Sequence, residues 1–320
     1  MRDKNNEPIA GCSMLLGCGS ILMITMIISM IIALTALSGY MPEISARRFT
    51  DQEELSAYVI SLIEDINSEI ETLNLNYLQI LINAAQIVIL FLIFKLIYKR
   101  PLSQMGLSSQ SWFKRLCLGI TAGVIAISLY AIIAFLLGIA VFEPVDLRSL
   151  NWADMLTGLV FFISVGFYEE ILSRGYFMTV LKTTRNKRLI IAIPAVIFGC
   201  MHLLNPSIGL LGILNIFLIG LAFAYMFIKT GSLWMPIGYH ISWNFFQGYI
   251  YGIQVSGFEQ MSLMKYTATG SDLLTGGAFG AEGGLVCTAI ILGLLAYIHF
   301  ILKIKETPVW TLDSDLPFTP

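Results

Sequence analysis

Eight apolar runs, most of them close to the length of a membrane-crossing helix, dominate this chain and leave it few places to fold. A helix must run about 20 residues to cross a hydrocarbon core of about 30 Å. Runs of that kind are read at 13–38, 76–98, 113–141, 154–181, 189–204, 207–228, 232–252 and 283–302. The fifth is short and abuts the sixth through Asn205 and Pro206, which predicts a tight helical hairpin. Hydrocarbon offers no partner to a loose backbone amide, so the runs must be helical. Composition agrees: 57% of the residues are hydrophobic and only 12% charged, where a soluble domain carries about 25% charged residues. The expected fold is an all-α polytopic transmembrane bundle of about eight spans.

Basic residues set the expected orientation. Arg2 and Lys4 precede the first run, and Lys99, Arg100, Lys114 and Arg115 flank the second connection. Lys182, Arg185, Lys187 and Arg188 separate the fourth and fifth runs, Lys229 follows the sixth, and Lys303 and Lys305 follow the last. The alternate connections are poor in Lys and Arg, so the positive-inside rule puts both termini in the cytoplasm of a multi-pass cell-membrane protein. Net charge is −2 with no basic stripe, which excludes nucleic acid as a partner class. Five scattered cysteines without CxxC spacing argue against a thiolate zinc site or a disulfide framework.

Three segments are expected. Residues 1–75 form an N-terminal anchor plus an outer amphipathic segment, 76–305 the main bundle, and 306–320 a cytoplasmic tail. Within 39–75, Leu55, Val59, Leu62, Ile63, Ile66, Ile70 and Leu73 recur at helical spacing among acidic residues. That pattern suits a helix packed on the outer ends of the bundle, or a lid. The outer connection 253–282 and the start of the last run carry Gly276, Gly277, Gly280, Gly283 and Gly284, which suggests a compact loop with unusual backbone angles.

Ionisable residues deep inside apolar runs are the functional candidates. Each costs about 2.5–3.5 kcal/mol near the bilayer centre on insertion scales. Lys95 and Lys229 sit at run ends and reach water by snorkelling. Glu169, Glu170 and Arg174, inside the fourth run, have no such escape. Glu170 and Arg174 are four apart and share a helix face, so they can form an ion pair. Glu169 is rotated about 100° away and keeps its carboxylate for another task, such as acid–base work. A purely structural ion network is the competing explanation of the three charges.

The histidines weigh against that alternative. His202 falls in the fifth run and His240 in the seventh, with Phe198 and Asn244 one turn from each. At a rise of about 1.5 Å per residue from their basic ends, Glu169 lies about 18 Å deep, His202 about 21 Å and His240 about 14 Å. Similar depth on three separate helices is hard to explain as packing alone. His299 has no such partners.

These residues carry a resemblance. Glu169-Glu170-Ile171-Leu172-Ser173-Arg174 looks like the EExxxR motif of the CPBP family of intramembrane proteases, which includes the type II CAAX prenyl endopeptidases. Phe198 through His202 is similar to its FxxxH motif, and His240 through Asn244 to its HxxxN motif, in family order over 169–244. The resemblance implies an intramembrane endopeptidase acting on membrane-associated peptides or proteins. Glu169 would activate water, His202, His240 and Asn244 would complete the site, and Glu170, Arg174 and Phe198 would support it. A Zn²⁺ ion held by Glu169, His202 and His240 is one version of that chemistry and a metal-free site the other; HExxH is absent. The competing class is a non-catalytic scaffold or bacteriocin-immunity-type protein that uses the same polar cluster for binding. A small-solute transporter is disfavoured, because the two halves carry no inverted repeat.

Overall fold

The computed structural model describes residues 10–23, 25–27, 47, 51–72, 75–108, 111–300 and 302. The expected tail 306–320, the basic residues near either terminus and most of 28–50 lie outside these residues. Eleven α-helices are described: α1 (Ala10–Ile27), α2 (Gln52–Thr72), α3 (Leu75–Ile93), α4 (Trp112–Leu136), α5 (Trp152–Glu170), α6 (Met178–Leu181), α7 (Lys187–Met201), α8 (Leu210–Thr230), α9 (Trp234–Phe245), α10 (Asp272–Thr275) and α11 (Leu285–Phe300). Five helical stretches are long and apolar enough to cross a membrane: Ala10–Ile27, Asn76–Tyr98, Trp112–Leu136, Trp152–Thr184 and Leu210–Thr230. The protein is therefore a mostly helical, multi-pass membrane protein. Helix α11 is apolar but shorter.

Two expectations need correction. The third run does not stay helical to 141. Helix α4 stops at Leu136, Gly138 turns the chain at φ 66°, and Ala140–Pro144 forms strand β1. It pairs antiparallel with β2, Met264–Ala268, placing Phe142 opposite Tyr266. The fold is thus not purely α, although a two-stranded ribbon is its only sheet among the described residues. The second correction concerns His202, which caps the C-terminus of α7 at φ −96°, ψ 0° and does not lie inside the helix. The hairpin of α7 and α8 does form, joined through 202–209.

Small residues govern how close the helices come. A side chain on Gly119 would meet the carbonyl of Met235, one on Gly123 the backbone of Tyr239, and one on Gly238 the carbonyl of Leu116. Helices α4 and α9 therefore pack backbone to backbone, the mode that small residues permit in membranes.

The connections gather into two ends. At one, Leu233 N–H donates to the Gly106 carbonyl at 3.0 Å and Trp234 Nε1–H to Ser108 at 2.9 Å. At the other, Val145 N–H donates to Leu263 at 3.1 Å, Gly257 N–H to Phe279 at 2.8 Å, and the Tyr130 hydroxyl to Thr275 at 2.6 Å. Gly276, Gly277 and Gly280 have φ of 91°, 57° and 98°, as the glycine-rich sequence predicts. At Gly280 a side chain would strike the Gln254 carbonyl, which fixes glycine there. The helix expected in the outer N-terminal segment exists as α2, but Leu55 and Val59 on its apolar face are exposed.

Candidate functional site

Helix α5 changes pitch where its charges lie. From Ile171 to Phe177 it continues as a π-helix, a wider turn that recurs at functional sites. Glu170 closes the α-helical part and Arg174 lies within the π stretch, and both are fully buried. Arg174 Nη1–H donates to Glu170 Oε1 at 2.8 Å and Nη2–H to the Gly220 carbonyl on α8 at 3.0 Å. The guanidinium lies 4.5 Å from the ring centre of Phe198 and 5.3 Å from that of Phe223. An ion pair of this kind is tolerated in an apolar core because its charges are paired and hydrogen-bonded. The expected Glu170–Arg174 pair is present, and Phe198 packs on it.

His240 joins this pair from α9. Its Nδ1 lies 3.1 Å from the same Glu170 oxygen that Arg174 holds, and its Nε2 faces Glu169 Oε2 at 3.8 Å. Glu169 Oε2 has no hydrogen-bond partner of its own. The ring of Phe198 stands edge-on to His240 at 6.2 Å and tilted against His202 at 5.1 Å. His202 Nδ1 lies 2.8 Å from the Phe198 carbonyl, an acceptor, so Nδ1 carries the proton and Nε2 is left as the free nitrogen.

Glu169, His202, His240 and Asn244 all line one cavity of about 670 Å³, together with Phe198. Glu170 and Arg174 stand behind this wall. Among the described residues, no three His, Cys, Asp or Glu side chains converge as the ligands of a metal ion. The set Glu169, His202 and His240 does not fit such an ion as arranged here, so no metal step is derived.

Sequence reasoning missed part of the wall. Asn76, Gln79 and Asn83 give the cavity a polar face from α3. Gln79 Nε2–H donates to Asn83 at 2.9 Å, and Asn83 Nδ2–H to Ser164 on α5 at 3.0 Å. Their spacing of three and four was visible as a polar helix stripe. A further carboxylate, Glu282, enters from the glycine-rich loop, where it is the lone acid between Gly280 and Gly283.

Residues 151–246 match the family model described as "Type II CAAX prenyl endopeptidase Rce1-like". No curated protein and no solved structure matches the chain. The matched stretch runs from the start of α5 to the end of α9 and contains all three motifs, so this part of the chain is similar to the CAAX-protease family that those motifs resemble.

Proposed function

We propose that this protein is an intramembrane endopeptidase in which Glu169 activates water. The observation that carries the reading is Glu169 facing His240 Nε2 at 3.8 Å on the wall of a cavity that His202 and Asn244 also line. Water between Glu169 and His202 Nε2 gives its proton to the carboxylate as its oxygen attacks the scissile carbonyl carbon. The oxyanion that forms accepts hydrogen bonds from the Asn244 amide and from His240 Nε2–H, since a doubly protonated ring donates from both nitrogens. Glu169 then delivers the proton to the amide nitrogen, the C–N bond breaks, and two peptide ends leave. Glu170 and Arg174 fix the position of His240 and take no part in proton transfer. No metal is needed for any of these steps.

In this reading α1, α3, α4, α5, α7, α8, α9 and α11 are the eight spans. Lys95, Lys99, Arg100, Lys114, Arg115, Lys182, Arg185, Lys187, Arg188 and Lys229 all fall at one end of the bundle. At the other end the connections 137–151, 202–209 and 251–284 hold only Arg148 and Lys265, and the segment 39–75 adds Arg47 and Arg48 among a larger number of acids. The positive-inside rule makes the basic end cytoplasmic, and both termini with it. Asn76, Asn205, Ser256, Glu259 and Glu282, which line the cavity, belong to the opposite end. The cavity therefore opens to the extracytoplasmic face of the cell membrane.

The test is cleavage of membrane-active and prenylated peptides by reconstituted protein, wild type against Glu169→Ala, with and without a chelator. Cleavage that vanishes in the variant and survives the chelator supports the reading. Cleavage that survives in the variant returns the cluster to the scaffold class.

A further inference from the structure

The cavity wall holds three carboxylates, Glu169, Glu259 and Glu282, and neither lysine nor arginine is among its lining residues. Glu282 has no task in the hydrolysis described above, yet it is carefully held. It sits on the short turn Ala281–Gly283 that leads into α11. Trp243 Nε1–H approaches its Oε1 at 3.4 Å and Gln247 Nε2–H donates to its Oε2 at 2.6 Å. Backbone N–H groups of Ser256 and of Glu282 itself also point at the carboxylate. Every one of these donors is neutral, and no lysine or arginine among the described residues forms an ion pair with it. Burial pushes the carboxyl above its ordinary range, and the hydrogen bonds from Gln247 and Trp243 only oppose that rise.

One polar atom beside it also lacks a donor. Gln247 is fully buried and spends Nε2–H on Glu282 and on the Gln254 carbonyl, while its Oε1 has no partner. Tyr239 lines the cavity, is 1% exposed, and stacks on Trp243 with ring centres 6.1 Å apart; its hydroxyl is unpartnered too. A carboxylate whose donors are all neutral, beside the orphan Gln247 Oε1, lacks a cationic donor. A lysine ammonium or arginine guanidinium supplies several N–H donors with the charge.

The position follows from α9. Trp243 and Gln247, which hold Glu282, lie three and seven residues beyond His240, or about 5–10 Å along the axis. An extended peptide covers that span in roughly two or three residues. We propose that Glu282 is the base of a cation subsite, which holds a lysine or arginine side chain of the substrate roughly two or three residues from the bond that is cut. The register to that bond rests on the peptidase reading above; capture of the cation does not. A free C-terminal carboxylate placed at this wall would be repelled by the acids already there.

The test uses full-length protein in phosphatidylcholine nanodiscs, whose zwitterionic lipid does not itself concentrate cations. Short blocked leucine–alanine peptides carry a single central lysine, norleucine or glutamate, and binding is read by fluorescence anisotropy on Glu169→Gln protein. The lysine peptide is expected to bind about ten-fold tighter than the norleucine peptide, as a hydrogen bond to a charged group provides. Glu282→Gln should erase that preference, and Glu282→Asp should keep part of it. Equal binding of the lysine and norleucine peptides overturns the subsite, and that comparison needs no change at 282. A preference that survives Glu282→Gln overturns it as well. Cleavage by wild type is read separately: lysine preference without any cleavage removes the peptidase reading and leaves the subsite standing.

Discussion

One oxygen of Glu170 serves two partners: Arg174 Nη1 at 2.8 Å and His240 Nδ1 at 3.1 Å. The ion pair inside α5 is thereby tied to a histidine on α9, and through Arg174 to the Gly220 carbonyl on α8. Three helices are thus tied together through one ion pair, and His240 turns its Nε2 toward Glu169 while its other nitrogen is anchored there.

This arrangement predicts an asymmetry in stability. Arg174→Ala strips the buried Glu170 carboxylate of its guanidinium and leaves it only His240, at a cost of about 3–5 kcal/mol. Changing both partners, Glu170→Gln with Arg174→Met, removes both charges together and should recover much of that loss. Thermal unfolding in detergent checks it. A double variant no more stable than Arg174→Ala contradicts the pairing.

The proposed oxyanion contact separates activity from stability. Asn244→Ala should lower kcat by about 10²–10³-fold, the range for losing one such donor, while the melting temperature stays close to wild type. Single-turnover cleavage with parallel melting curves measures both. Equal losses in the two readouts assign Asn244 to packing.

The motif residues were legible in the sequence because an intramembrane charge is costly, so Glu169, Glu170, Arg174, His202 and His240 stood out against their apolar surroundings. The apolar runs likewise located the helices, since length and hydropathy are local properties. What stayed hidden depends on tertiary contact. The end of α4 was misjudged because Ile139 to Phe142 is as apolar as the helix before it, and only pairing with β2 makes that stretch a strand. His202 was placed inside a helix because periodicity does not mark where the last turn ends. Glu282 lies outside every apolar run, in a loop where an acid is unremarkable, until folding brings it against Trp243 and Gln247.

Close packing of α4 on α9 has a functional consequence. Gly238 lies two residues before His240, and a side chain there meets the Leu116 carbonyl, which cannot move aside cheaply. Gly238→Val should cost about 1–3 kcal/mol of stability and reduce cleavage by shifting His240 away from Glu169. An unchanged melting temperature would show that α4 and α9 are further apart than described.

Binding at Glu282 should depend on pH in a definite direction. Burial raises its folded-state pKa, so in acid the carboxyl holds a proton that a cation must displace. Affinity for the lysine peptide therefore rises as pH climbs through that raised value and levels off above it. Trp243 and Gln247 face the carboxylate from α9 and its continuation, and Ser256 from the loop. Tyr130 and Cys287, on α4 and α11, also feel its charge, but both are neutral throughout an acid titration. Glu259 shares the cavity and is held by Gln254 at 3.2 Å. Anisotropy titrations across the acid range should show the rise in Glu169→Gln protein and its loss when Glu282→Gln is added. A rise that persists in that double variant does not come from Glu282 and overturns its role.

The side from which the cavity opens can be read without any substrate. Ser271 is exposed in the connection that carries Glu282, and Arg188 is exposed at the basic end. In a chain whose five cysteines are replaced, Ser271→Cys should react with a membrane-impermeant maleimide in intact cells. Arg188→Cys should react only after the membrane is opened. The positive-inside rule, on which the proposed orientation rests, depends on Lys and Arg in short connections. If the two labelling patterns were exchanged, the cavity would face the cytoplasm, and its substrates would have to be sought among cytoplasmic peptides.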